Sequence, residues 1–371
     1  VRTSASIDAV DLLRSWQSAG LVSQAELPGL AEAIVIDAAA ADPPLHLKIL
    51  AAVGTLFATG FFLAFLAAAD LISFEAGGGL VAWGAVFLGS GIALSLALRR
   101  RPPCLGHDFV AQVGFVGLAL GKVALVAGAV LWAGEETRWV ATATLLGATV
   151  VTYPVTGPSL DRFLSPYAVA ASVLFEILAR DAAGTEPGPA LAGFVALAVG
   201  VAAATLVSHR VPTALRPIGT AALAAIGTVV GVIAAGHDFG IWATDRPIDS
   251  RPVEVLLALT LSATIAGVAH EAGALRRPPV IAAIVGGLVL GFAGAPGIVF
   301  ALVLMIVGHA RHDVPIRITG ILALPAFVAL WYWGRDLDFL AKSAVLAGSG
   351  GLLLAARAVM ARAGWDREED A

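Results

Sequence analysis

Long apolar stretches follow one another along almost the whole chain, and the Lys and Arg residues fall heavily into every second gap between them. A hydrocarbon core about 30 Å thick takes roughly 20 apolar residues per helical crossing. The fold class this pattern predicts is all-α: a polytopic transmembrane helical bundle. Composition agrees, since 58% of the residues are hydrophobic and 13% charged, where soluble domains carry about 25% charge.

The apolar stretches predict about twelve spans: 46–69, 78–98, 109–132, 138–156, 162–179, 189–208, 214–236, 252–270, 278–293, 296–310, 316–334 and 338–360. The segment Gly294–Gly297 reads either as a tight turn or as a break within one re-entrant element, so eleven to thirteen spans remain open. Residues 1–45 read as a cytoplasmic helical hairpin, 46–361 as the transmembrane bundle and 362–371 as a cytoplasmic tail. In the hairpin, Ser6 caps one helix, Ser23 with Glu26 forms a capping box for the next, and Pro43-Pro44 ends it. Of the 23 cations, sixteen fall on the side holding both termini, among them Arg99 to Arg101, Arg162, Arg276, Arg277, Arg311 and Arg317. Five fall on the other side, so the positive-inside bias puts both termini in the cytoplasm.

Lys122 and Lys342 are the two cations that lie inside spans. An ionisable group deep in a span costs at least ~2.5 kcal/mol on insertion scales, so it reads as functional or paired. Glu176 has the opposite charge and the matching predicted depth to Lys122, which suggests an ion pair between them. Lys122, Glu176 and Lys342 are the candidate intramembrane polar site, and Glu254, Asp336 and Asp338 a candidate outer mouth. Gly117 with Gly121, Gly227 with Gly231, and Gly287 with Gly291 are small residues four apart, a spacing that lets helix backbones approach. Six tryptophans, among them Trp83, Trp132, Trp331 and Trp333, fall at predicted outer ends, as an interfacial belt or an outer docking surface.

Several chemistries have no support. Cys104 is the only cysteine, which excludes an intramolecular disulfide and a multi-cysteine metal site. His309, His312 and Asp313 form the one tight cluster of metal-ligand types, but Arg311 and Arg317 flank it, and no metal or other cofactor is expected. No HExxH, Walker loop or GxSxG elbow is present, and no basic aromatic stretch suits nucleic acid.

The segments Ala295-Pro296-Gly297-Ile298, Gly308-His309-Ala310-Arg311, Gly320-Ile321-Leu322 and Trp331-Tyr332-Trp333, followed by Leu337, Leu340, Lys342-Ser343 and Gly350, resemble a family of bacterial multi-pass membrane proteins catalogued as a domain of unknown function. Trp331 and Trp333 stand where that family shows tyrosines, which weighs against any role needing a phenol there. The resemblance implies the bacterial cytoplasmic (inner) membrane and a small partner membrane protein with a Gly-Asp-Tyr motif, encoded nearby. It implies no activity. The leading expectation is transport of a small solute or ion along a path lined or gated by Lys122, Glu176 and Lys342. The alternative is a membrane scaffold or partner-binding subunit of an envelope complex. Transport calls for a polar cavity reaching Lys122 or Glu176; a scaffold seals those side chains in a dry pair and leaves an apolar groove elsewhere.

Overall fold

The computed structural model describes residues 77–99, 105–134, 139–156, 160–179, 186–207, 211–239, 249–292 and 294–333, with isolated positions before residue 70 and after 339. Among the described residues the chain is all-helical: α1 (Gly77–Leu98), α2 (Leu105–Ala133), α3 (Val140–Thr152), α4 (Leu160–Ala179), α5 (Gly188–Ala202), α6 (Arg216–Phe239), α7 (Arg251–Glu271), α8 (Pro278–Phe292), α9 (Pro296–Ala310) and α10 (Val314–Trp333). Seven of these are long and apolar enough to cross a membrane, whereas α3, α8 and α9 are shorter. These ten helices overlie the second to eleventh predicted spans. The first and last predicted spans, the 1–45 hairpin and the 362–371 tail lie outside the continuously described residues.

The helices fall into two compact units, Val1–Ser165 and Pro166–Ala371, and the division comes inside α4 at an internal proline. In the first unit α1 and α2 pack along their length. The sequence dictates how closely: glycines recur every seventh residue, at Gly77, Gly84 and Gly91 on α1 and at Gly114, Gly121 and Gly128 on α2. A Cβ on Gly77 would come 2.9 Å from the carbonyl oxygen of Gly128, one on Gly84 3.1 Å from that of Gly121, and one on Gly91 2.9 Å from that of Gly114. The two helices are therefore antiparallel and in backbone contact at three successive levels. A seven-residue repeat keeps one seam facing the partner along both helices.

The second unit is built around α9. Val299 and Ala301 are fully buried and Phe300, Val303 and Leu304 nearly so. Of these, Val299, Phe300, Val303 and Leu304 pack with Leu191 and Val195 of α5, Val229 and Val230 of α6, and Val253, Leu257 and Leu261 of α7. Gly308 meets the backbone of Arg317 and Gly320 that of Met305, which draws α10 onto α9. The Gly294–Gly297 segment is a turn: Gly294 has φ +71°, Ala295 follows, and Pro296 opens α9. The predicted small-residue contact at Gly287 and Gly291 is present, with Cβ positions facing Leu261 and Ala258 of α7. Gly117 and Gly121 face Phe87 and Leu88 of α1, while of the pair on α6 only Gly227 has a neighbour, Phe300, and Gly231 faces open space.

Candidate functional site: a buried lysine lock and an apolar cleft

Lys122 lies just beyond the middle of α2 and is 4% exposed. Its ammonium donates to Asp161 Oδ1 at 2.7 Å and to Ser165 Oγ. The Ser165 hydroxyl in turn donates to the same carboxylate oxygen at 2.8 Å. The three buried groups form a closed triangle. Asp161 and Ser165 lie four residues apart and so share one face of α4. Asp161 also stands in the first turn of α4, where unpaired N–H groups and the helix dipole favour a carboxylate.

The length of α3 explains how a carboxylate at a helix start meets a lysine in mid-span. Its 13 residues make a helix of about 20 Å, against a hydrocarbon core of about 30 Å. Lys122 stands eleven residues before the end of α2, about 17 Å back along it. The chain returning through α3 has therefore come only about as far as Lys122 when the helix ends and α4 begins. Two cations close that end. Arg99 Nη2 donates to the carbonyls of Pro154 at 2.7 Å and Thr156 at 3.3 Å, and the Arg162 guanidinium stands 5.4 Å over the Tyr153 ring. Asp161 Oδ2 is buried without a hydrogen-bond partner, as is Arg162 Nε; such a condition costs about 1–3 kcal/mol per group.

The expected pair between Lys122 and Glu176 is thus corrected, because the carboxylate that holds Lys122 is Asp161. A full crossing over 138–156 puts Asp161 at the membrane surface and leaves Glu176 as the carboxylate of matching depth. Glu176 is half-buried near the end of α4. Glu254 sits in the first turn of α7, where its Oε1 accepts a 2.6 Å hydrogen bond from Ser250. Lys342, Asp336 and Asp338 lie outside the described residues. Asp313 caps α10, its Oδ1 accepting from the Ile316 N–H at 3.2 Å, so the His309–His312–Asp313 cluster is a helix junction. Among the described residues no group of three His, Cys, Asp or Glu is placed to hold a metal ion.

A second feature belongs to the other unit. An apolar cleft of about 450 Å³ runs between α5, α6, α7 and α9, with Ile226, Leu257, Phe300 and Val303 among its lining. Part of its wall is Ala203 and Leu206 of a π-helical turn, Ala203–Val207, that continues α5. Such turns are often found at functional sites. Thr260 and Thr264 also line it, but their hydroxyls donate to carbonyls four residues back, which leaves the wall apolar. Arg311 and Glu271 stand at one end, with Arg311 Nη2 3.3 Å from Glu271 Oε1. Because the Glu271 side chain is 61% exposed, Glu271→Gln is expected to shift stability by under ~1 kcal/mol, seen as an unchanged thermal midpoint in detergent. Neither Lys122 nor Glu176 nor Glu254 lines the cleft. Sequence reading missed both the Asp161 partner and the cleft. The i, i+4 pairing of Asp161 with Ser165 was the available signal for the first; the cleft has none, since its walls are ordinary apolar helix faces.

The model of a family described as Domain of unknown function (DUF4401) matches residues 44–363, and the chain belongs to that family. No curated protein and no solved structure matches it.

Proposed function

We propose that this member of the family is a membrane-embedded binding subunit, a scaffold that holds a partner, rather than a conduit for ions through its buried charges. The observation that carries the reading is the state of Lys122: a cation in mid-span, 4% exposed, closed into a triangle with a carboxylate and a hydroxyl. A group that carries ions must be reached by water from each side in turn. A sealed pair instead fixes α4 against α2 and leaves recognition to apolar surface, of which the cleft in the second unit is the clearest instance. The setting we propose is the bacterial inner membrane with both termini cytoplasmic. The partner proposed is a small membrane protein.

A second reading, transport coupled to protons, is favoured by one observation, the unpartnered Asp161 Oδ2. Flux separates the two. Protein reconstituted into liposomes with an internal pH dye is expected to pass protons no faster than empty liposomes under an imposed gradient. Proton flux that disappears in the Lys122→Met/Asp161→Leu double variant would overturn the binding reading and establish the other.

A further inference from the structure

The cleft of the second unit has two ends of different chemistry, and together they specify an occupant. Its wall on α7 runs from Leu257 to Glu271, about 21 Å of helix, somewhat more than the ~15 Å of one leaflet's hydrocarbon. Leu259, Ala263 and Gly267 on that wall are exposed, so the cleft is open along its side, at the level where lipid surrounds the helices. The volume of about 450 Å³ lies within the ~300–1,000 Å³ of small-molecule sites. At the end where α7 and α9 stop, the character changes. Arg311 lies at the cleft, and Arg276, Arg277 and Arg317 stand exposed on the adjoining segments, against Glu271 and Asp313. That balance is cationic and sits where the headgroup of a lipid with its chain in the cleft would lie. Arg311 Nη2 makes a long contact, 3.3 Å, with the solvent-exposed Glu271 carboxylate, and a guanidinium's five N–H donors can take an anionic oxygen as well.

We infer that the cleft is a binding site for an anionic phospholipid of the bilayer, one acyl chain lying along α7 and the phosphate meeting Arg311. The inference rests on the binding reading above and gives the cleft a lipid ligand in addition to the proposed protein partner. The π-helical turn has a place in this arrangement: it offsets Ala203 and Leu206 from the regular α5 register, and Gly219 of α6 packs directly on Thr205 and Leu206. The cleft wall is thus fixed from both sides.

The test uses the full chain in phosphatidylcholine nanodiscs carrying, at equal mole fraction, either phosphatidylglycerol or phosphatidylcholine with a photoreactive diazirine in the acyl chain. The phosphatidylglycerol probe is expected to label peptides of α7 and α9 about fivefold more than the phosphatidylcholine probe. Arg311→Gln should bring it down to the phosphatidylcholine level. Gly267→Leu should suppress both labels, because Gly267 lines the cleft and a Cβ there meets nothing within 4 Å, so the helix accepts the change while the side chain occupies the cleft. Unchanged thermal midpoints show that the variants are folded. Equal labelling by the two probes in the wild type, or labelling that survives Gly267→Leu, would mean ordinary annular lipid and would overturn the proposal. Displacement of the label by free palmitate at lower concentration than by unlabelled phosphatidylglycerol would reassign the site to a free fatty acid. If the lipid assignment fails while liposomes stay proton-tight, the ligand class is wrong and the binding reading stands; proton flux lost with Lys122 and Asp161 defeats that reading instead.

Discussion

Lys122→Met alone is expected to cost the fold about 3–5 kcal/mol, and Asp161→Leu alone a similar amount, because each leaves the other charge buried without its partner. The double variant Lys122→Met/Asp161→Leu is expected to return to within ~1 kcal/mol of the wild type or to exceed it, since both desolvation penalties leave together. Methionine matches lysine in volume and leucine exceeds aspartate, so neither change opens a cavity, and the overpacking at the buried residue 161 is common to the Asp161→Leu single and the double variant. Ser165 then loses both its bonds to the triangle, but its hydroxyl can turn to the carbonyl of Asp161 one turn back. The measurement is equilibrium unfolding in mixed micelles across the four proteins. A double variant as damaged as the sum of the singles would mean that Lys122 and Asp161 do not form the pair. The unpartnered Oδ2 sets the sign of one further detail: the wild-type triangle already contains an uncompensated acceptor, so replacing the pair is expected to gain stability rather than merely break even.

How much of this was legible in the sequence depends on the physical rule each part obeys. The seven long helices follow from apolar length, a signal summed over about 20 residues and hard to mistake, while α3, α8 and α9 are apolar but shorter. Lys122 was equally visible, because a lone cation in an apolar stretch has no cheap explanation. Its partner was not, because depth along one helix translates to depth along another only if every helix crosses fully, and α3, at 13 residues, does not. The break at Gly157-Pro158, just past the end of α3, was the cue that α4 starts afresh beside Lys122. The glycine seam lies in the sequence too, but four-residue spacing finds Gly117 with Gly121 and passes over the sevenfold repeat that orders both helices. The cleft and the π-helical turn depend on which helix faces meet, and hydropathy carries no record of that.

Gly121→Ala is expected to destabilise the protein by about 1–3 kcal/mol and Gly121→Leu to abolish folding, whereas Gly89→Ala on α1 should be neutral or stabilising by up to ~1 kcal/mol. Intrinsic helix propensity favours Ala over Gly at both positions by about 0.8–1.0 kcal/mol, so propensity alone predicts a gain in each case. The surroundings decide otherwise at Gly121. A Cβ there would lie 2.6 Å from the backbone nitrogen of Leu88 and 2.8 Å from its Cα, while at Gly89 nothing comes within 4 Å. Backbone in the middle of a helix cannot move aside as a side-chain tip can, so α1 and α2 must separate along the seam, opening the contacts at Gly84 and Gly128 as well. Because Lys122 follows Gly121 directly, that separation also draws the ammonium away from Asp161. The cost of Gly121→Ala should therefore shrink in the Lys122→Met/Asp161→Leu background, where no ion pair is left to misplace. Thermal midpoints in detergent for Gly121→Ala and Gly89→Ala, in both backgrounds, check this. Equal midpoints for the two glycine variants would show that the helices are not in backbone contact at Leu88, and would take the register of the first unit with them.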